Sequence, residues 1–511
     1  MLKAIDSFLN RFTMYGLLVW FLSALLGLGF VLSLFHALPV QPIAILSTTA
    51  IYLIVCYGAN WLFAKALKIE ANYESTVITA LILAVISGPV SLFADPRKAA
   101  IMALAGLVAI ASKYLIAINK QHVFNPAAFG VFFTGIVFGF YSTWWVGNIA
   151  MLPLVIVGGL LLIRKISRFR FVAVFFAAFT VFLMALSMIQ GLGFAMAVQN
   201  IIYVFLHTEI LFFAAVMLIE PITAPKRFSM QIIFAAIAAF FLQPQLTIFG
   251  QNLTPEEALL LANLFSYAVS PSFKLSLQLK DRREIGNGIL AFSFDYPEGF
   301  DHRLGQYMEW TLPIDEPDSR GNRRYFSIAS SPTESELLIA ARFYPKSSRY
   351  KQAMAEMESG DPIVAAELSG DFVLPRDPSV PLVFIAGGIG ITPFRSMIKF
   401  LVDTGEKRDI ILLYSNSTKE EIVFRDVFEE AAQKISLKTV YTLTDPERVR
   451  AGWEGRTGYI DEKMLGEEVP DIDKRMFFIS GSPAMVETVK KVLRSSGVRR
   501  RDIRSDYFPG Y

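Results

Sequence analysis

Arg324-Tyr325-Phe326-Ser327-Ile328-Ala329-Ser330 sets a guanidinium, two rings and two hydroxyls within one short stretch. An arginine fork can hold a diphosphate, an aromatic ring can flank an isoalloxazine, and a hydroxyl can hydrogen-bond its N5. Taken alone, the stretch is equally an ordinary strand with an exposed arginine. Further on, Gly387-Gly388-Ile389-Gly390-Ile391-Thr392-Pro393 follows an apolar run and opens an expected helix. Glycines there let backbone N–H groups approach a diphosphate, and the helix N-terminus favours its negative charge. Ile479-Ser480-Gly481-Ser482-Pro483-Ala484-Met485 is another strand-to-helix turn at the same sheet edge. The chain closes on Asp506-Tyr507-Phe508-Pro509-Gly510-Tyr511. Terminal residues usually fray, and a ring stacked on a flavin would explain so aromatic an end.

These stretches need elements to hold them. Phe273-Lys274-Leu275-Ser276-Leu277-Gln278-Leu279-Lys280 alternates as a half-buried strand does. Strands continue to about Leu374, which predicts a small antiparallel β-barrel over residues 268–376. After Pro381 the pattern is strand, glycine turn and helix, with strands at Leu382–Ala386, Ile410–Tyr414, Lys438–Leu443 and Met476–Ser480. Strands alternating with helices predict a parallel α/β sheet covered on both faces, over 377–511.

The first half differs in kind. Of 48 Lys/Arg and 45 Asp/Glu, residues 1–266 hold 14 and 8, while the chain as a whole is 54% hydrophobic. That is too apolar for an ordinary soluble enzyme. Met14–Phe35, Ile43–Ala64, Thr76–Phe93, Ala99–Ile118, Pro126–Tyr141, Ile149–Ile163, Phe171–Gln190, Phe194–Ile219 and Met230–Leu246 read as candidate spans, with Glu256–Ser270 a weak tenth. The expectation is an all-α polytopic membrane bundle of about ten spans over 1–267. Lys65/Lys68, Lys113/Lys120, Arg164/Lys165/Arg168/Arg170 and Lys226/Arg227 follow even-numbered spans. They put those loops and the N-terminus in the cytoplasm, against the pattern of Arg97/Lys98. Ten spans then deliver the C-terminal part to the cytoplasmic face of a bacterial-type inner membrane.

Several chemistries are excluded. Cys56 is the only cysteine, so this chain alone can hold neither an iron–sulfur cluster nor a c-type haem. Stacked b-haems need four histidines paired across two helices, and of His36, His122, His207 and His302 the last lies in the soluble part. No basic run interleaved with aromatics suggests nucleic-acid binding, and no metal site is expected.

In order and spacing, the four stretches resemble the ferredoxin–NADP reductase superfamily over residues 268–511. The resemblance implies an FAD-binding barrel followed by a nicotinamide-nucleotide domain. It makes Arg324, Tyr325, Phe326, Ser327 and Ser330 the flavin motif, and Ser348 and Gly370 flavin-phosphate contacts. Gly387, Gly388, Gly390, Thr392, Pro393, Gly481 and Met485 become the dinucleotide turns. Trp453-Glu454-Gly455-Arg456-Thr457-Gly458 is similar to a stretch of its bacterial members. Many members carry a cysteine where this chain has Ser480, whose hydroxyl can still line the transfer site with Ser327. Some end in a Glu-x-aromatic where this chain has Asp506-Tyr507-Phe508, with Phe508 the expected stacking ring and Tyr507 the runner-up. Members specific for NADP place Ser-Arg where this chain has Thr444-Asp445. The Asp445 carboxylate repels a 2′-phosphate and favours NADH over NADPH.

Ser75–Leu81, Phe124-Asn125-Pro126-Ala127-Ala128-Phe129-Gly130 and Glu220-Pro221-Ile222-Thr223-Ala224-Pro225 resemble a membrane family. It is the family of membrane proteins shared by the Rnf complex and the sodium-translocating NADH:quinone reductase. That family attaches FMN through the threonine of a Ser-Gly-Ala-Thr motif, which this chain lacks. A non-covalent FMN or riboflavin beside Asn125 stays open. His207-Thr208-Glu209 lies mid-segment, where interhelical hydrogen bonding and a redox or ion-pathway role compete. The whole predicts a membrane-bound oxidoreductase passing electrons from nicotinamide to a quinone or redox protein. The alternatives are a reductase merely anchored by its first half, and a transporter with a nucleotide-sensing domain.

Overall fold

The computed structural model describes all residues except 1–4, 6–7, 10–11, 68–72, 119–120, 249, 271–273, 315–317, 319–320, 346, 446–451 and 508–511. Two compact units emerge, Met1–Phe273 and Lys274–Tyr511.

The first unit is helical. Its helices are α1 (Met14–Leu34), α2 (Pro42–Leu67), α3 (Tyr73–Ile86), α4 (Pro96–Leu115), α5 (Pro126–Phe138), α6 (Leu152–Lys165), α7 (Phe169–Ile189), α8 (Phe194–His207), α9 (Ile210–Met217), α10 (Phe228–Phe241) and α11 (Pro255–Val269). By length and composition α1, α2, α4 and α7 can cross a membrane, and α8 with α9, bent by 69°, would make a fifth. The ten expected spans are therefore not ten full-length helices. An apolar run does not fix where a helix begins or ends. The run at Thr76–Phe93 leaves its helix at Ile86, before Ser87-Gly88-Pro89, and α5 stops where Gly139 caps it at φ +67°. Helices of 13 or 14 residues reach about 20 Å, against a hydrocarbon core of about 30 Å. Two short antiparallel ladders, Ala117–Ile118 with Gln121–His122 and Thr247–Ile248 with Gln251–Asn252, interrupt the otherwise all-helical unit.

The second unit holds two sheets. Strands β1 (Lys274–Gly286), β2 (Ile289–Asp295), β3 (Tyr307–Thr311), β4 (Arg323–Ser327), β5 (Glu336–Arg342) and β6 (Pro362–Ser369) form an antiparallel sheet in the order β4-β3-β6-β1-β2-β5. Its ends meet where Ala329 N–H donates to the Leu338 carbonyl at 2.7 Å. Helix α12 (Arg349–Glu356) follows β5.

The second sheet is parallel. Its strands β7 (Leu382–Gly387), β8 (Ile410–Asn416), β9 (Lys438–Leu443), β10 (Arg456–Thr457), β11 (Met476–Gly481) and β12 (Ile503–Tyr507) run in the order β10-β9-β8-β7-β11-β12. The period of two along β7 sorts its side chains. Leu382, Phe384 and Ala386 pack with helices α13 (Thr392–Thr404) and α14 (Arg425–Lys434), whereas Val383 and Ile385 pack with α15 (Glu462–Glu468) and α16 (Pro483–Ser495). Each such buried side chain contributes about 1.5–3 kcal/mol. A near-continuous apolar strand is what a sheet covered on both faces requires.

Candidate active site

The strand order reverses between β7 and β11, with Ala386 opposite Ser480. In open parallel sheets ligands bind outside the carboxyl ends of the strands at such a reversal. Both glycine turns identified in the sequence stand there. Gly387–Gly388 leads through one tight turn into α13, with Pro393 in its first helical turn and the Thr392 hydroxyl donating to the Ile389 carbonyl at 3.2 Å. Gly481 leads into α16, where Ser482 caps by accepting from Met485 N–H at 3.4 Å. The two turns touch. A Cβ on Gly390 would lie 2.4 Å from the Ser480 carbonyl oxygen, so only glycine lets them approach. The Met485 thioether lies against Gly387 and Gly481.

Ser480, next to last in β11, is fully buried, and Ser327 ends β4 at 2% exposure. Neither hydroxyl has a hydrogen-bond partner among the described residues. A buried polar group left unpaired costs about 1–3 kcal/mol, so two such groups at the ends of these strands fit a polar ligand that pairs with them. FAD and a nicotinamide nucleotide meet that test. Asp506 stands opposite Ser480 across the β11–β12 ladder. Phe508 lies outside the described residues.

On the antiparallel sheet, Arg324 is buried, donates to the Gly321 and Arg323 carbonyls at 3.2 and 2.6 Å, and lies 5.0 Å over the ring of Tyr350. Burial pushes the Tyr350 phenol well above its usual range, and its hydroxyl donates to the Trp310 carbonyl at 3.0 Å. Tyr350 belongs to α12, which Ser348 caps by accepting from Lys351 N–H. A fixed cation beside a helix N-terminus suits a diphosphate. Phe326 tilts against Tyr350, while Tyr325, half-exposed, donates to Glu367 at 2.9 Å. Gly370 follows β6 at φ +125°, a conformation that excludes a side chain there.

Other expected site residues are tied into the local fold. The Ser330 hydroxyl accepts from Leu338 N–H at 2.9 Å, and its carbonyl accepts from the Ser396 hydroxyl at 2.7 Å. Asn125 lies in the other unit, at the cap of α5. Its Oδ1 accepts from Ala128 N–H at 3.0 Å, its Nδ2 donates to Glu220 at 2.9 Å, and its N–H donates to Asn263 at 3.0 Å. His207 ends α8 and stacks on Tyr203. Asp445 follows β9, where Thr444 N–H ties the chain to the Asn416 carbonyl at 2.9 Å.

Sequence reasoning missed two arginines. Arg342, at the end of β5, pairs bidentately with buried Glu421, and Arg395 on α13 pairs bidentately with Glu334. The partners stand 79 and 61 residues apart, so no local spacing could reveal them.

Residues 384–491 match the oxidoreductase NAD-binding domain family. The chain is 30% identical over 215 residues to the stachydrine N-demethylase reductase subunit of Rhizobium meliloti, covering 41% of this chain and 59% of that protein. It is 30% identical over 209 residues to a flavohemoprotein of Bacillus subtilis, covering 40% and 51%. With NADH-cytochrome b5 reductase 1 of Aspergillus terreus it shares 25% identity over 240 residues, covering 45% and 80%. The chain thus spans between half and three fifths of the first two relatives. Among solved structures, Amycolatopsis cytochrome P450 reductase superposes on 47% of this chain and 72% of its own, at 23% identity and a TM-score of 0.42. The C-terminal half of this chain thus contains an oxidoreductase NAD-binding domain and is similar to a reductase subunit, a flavohemoprotein and an NADH-cytochrome b5 reductase.

Proposed function

We propose that the chain is a membrane-bound flavin oxidoreductase that draws electrons from NADH and delivers them to an acceptor in or at the membrane. The observation that carries this reading is the pair of buried, unpartnered hydroxyls, Ser327 and Ser480, at the ends of strands from the two sheets of one unit. Bound FAD would supply the means to accept two electrons from nicotinamide and release them singly. Arg324, Phe326, Ser348 and Gly370 would hold it, with Tyr325 alongside. The turns at Gly387–Pro393 and Gly481–Met485 would take the dinucleotide, with Ser327 and Ser480 lining the transfer site and Asp506 beside them. Phe508 would cover the flavin until nicotinamide arrives. Asp445, following β9, favours a free ribose hydroxyl over a 2′-phosphate and therefore NADH.

In this reading residues 1–267 are the membrane domain, 268–376 the FAD domain and 377–511 the nucleotide domain. The apolar helices and the positive loops support an inner-membrane protein with cytoplasmic reductase domains. The resemblance of the first half to the membrane proteins of the Rnf complex and the sodium-translocating reductase supports an electron conduit, with a second, non-covalent flavin near Asn125. The competing reading makes that half an anchor for docking a quinone or redox protein.

Anaerobic titration of the detergent-solubilised protein with NADH and, in parallel, NADPH tests this. Flavin bleaching that consumes more NADH than one FAD accepts supports the conduit, and an endpoint at one equivalent supports the anchor. Bound flavin that neither nucleotide bleaches would overturn the reductase reading.

A further inference from the structure

The loop after Ser327 is bolted to the helix that opens at the dinucleotide turn. Arg395, in the first turns of α13 with only 10% of its side chain exposed, donates to the Ala329 carbonyl at 3.1 Å and grips both carboxylate oxygens of Glu334. Glu334 in turn accepts from Ser331 N–H at 2.7 Å. The neighbouring Ser396 hydroxyl takes the Ser330 carbonyl. One helix turn thereby holds Ala329, Ser330, Ser331 and Glu334, the chain directly downstream of Ser327.

The seam beneath is apolar. Ile389 of the glycine turn and Phe424 pack on Ala291, Ala329, Leu338 and Ala340 of the antiparallel sheet. Arg395 lies 5.6 Å over the Phe424 ring, and Phe424 is held at φ +60°. A non-glycine residue in that conformation persists only where its surroundings over-determine it.

Resting on the reductase reading, we propose that Arg395 is a positioning residue, which sets the separation between nicotinamide and flavin by locking the glycine turn to the loop that carries Ser327. A bidentate fork fixes orientation as well as distance, which lysine's point charge does not. Neither Arg395 nor Glu334 is among the residues proposed to hold the flavin or the dinucleotide, so substrate affinity should be spared.

The test compares full-length, FAD-loaded wild type with Arg395→Met, Arg395→Lys and Glu334→Gln. FAD content and flavin circular dichroism report the fold, and stopped-flow bleaching by NADH reports transfer. The long-wavelength charge-transfer band of the reduced protein with NAD⁺ reports ring apposition without turnover. The expected result is unchanged FAD content, KM for NADH within about twofold, and bleaching slowed by at least about tenfold in Arg395→Met with loss of the band, since a 1 Å misplacement alone can cost about a hundredfold. Arg395→Lys and Glu334→Gln should fall between. Wild-type bleaching rate and band in Arg395→Met would overturn the proposal. If that variant fails to hold FAD, the same wild-type behaviour in Glu334→Gln overturns it. Wild type that NADH does not bleach would fail the reductase reading instead.

Discussion

Ser480 is legible in the sequence as a hydroxyl beside a glycine turn and Ser327 as one within the Arg324–Ser330 stretch, but their burial is not. That burial makes a prediction in which stability and activity separate. A buried hydroxyl without a protein partner contributes nothing to folding through hydrogen bonding, so replacing it with an apolar group of similar size removes a desolvated group rather than a bond. Ser480→Ala and Ser327→Ala should leave thermal stability undiminished or raise it by up to about 1–3 kcal/mol, yet slow flavin bleaching by NADH by about tenfold or more. Melting curves and stopped-flow traces on the same preparations check both halves. A variant that loses stability and keeps its rate would mean that the hydroxyl serves the fold. The aromatic terminus illustrates the opposite limit, since Phe508 could be singled out by composition and assigned by resemblance alone.

Elements carry the site through their ends, and one end is sensitive to pH. His302 lies in the segment between β2 and β3, 3% exposed, with Nε2 at 3.3 Å from the Ser330 carbonyl and Nδ1 at 2.9 Å from the Tyr296 hydroxyl. A carbonyl only accepts, so Nε2 carries the proton and Nδ1 accepts from Tyr296. Burial holds the His302 pKa below its ordinary value, while the bond to Ser330 and the charges of Asp301 and Glu334 offset part of that. A histidine whose folded pKa is depressed binds protons more readily when unfolded. Its contribution is therefore present above about pH 6.5, the unfolded value, and lost as pH falls towards the folded one. The midpoint of denaturant unfolding, followed by flavin fluorescence, should fall between pH 7 and pH 5.5 in wild type, and less steeply in His302→Asn. Equal slopes would place the acid sensitivity elsewhere. The centre of the parallel sheet is readable in the sequence because β7, β8 and β11 are short apolar runs, two of them ending in glycine turns, whereas the polar edge strands β10 and β12 carry no such signal. The number of spans in the helical half is not, because hydropathy reports where a chain is apolar, and not where glycine, proline or a bend breaks the helix.

For the molecule as a whole, the single cysteine is a probe of whether the helical unit packs as described. Cys56 is fully buried in α2, with Sγ 3.7 Å from the Gly106 carbonyl. Thr48, Tyr52 and Asn60 lie at four-residue spacing with it and are also buried. Tyr52 bonds Ser87 at 2.7 Å, and the Tyr114 hydroxyl donates to Asn60 at 2.6 Å. Polar groups along one face of a long apolar helix thus find partners on neighbouring segments of the unit. Native protein in detergent should resist maleimide, and denaturation should release one reactive thiol per chain. Prompt labelling of the native protein would contradict this packing.

Composition and local pattern alone divided this chain into an apolar helical half and a charged half of two sheets, because charge density and hydrophobic period are properties of neighbours in sequence. They also marked the two glycine turns and the Arg324–Ser330 stretch that we propose for nucleotide and flavin, since the backbone freedom of glycine and the fork of arginine are chemistry that a short stretch carries with it. Tertiary structure alone decided that Ala386 and Ser480 lie side by side at the strand-order reversal, that Gly390 touches Ser480, and that Arg395 grips the loop behind Ser327. Those contacts join residues tens of positions apart, and no local propensity encodes which distant partner a buried charge will find when the two sheets close on one another.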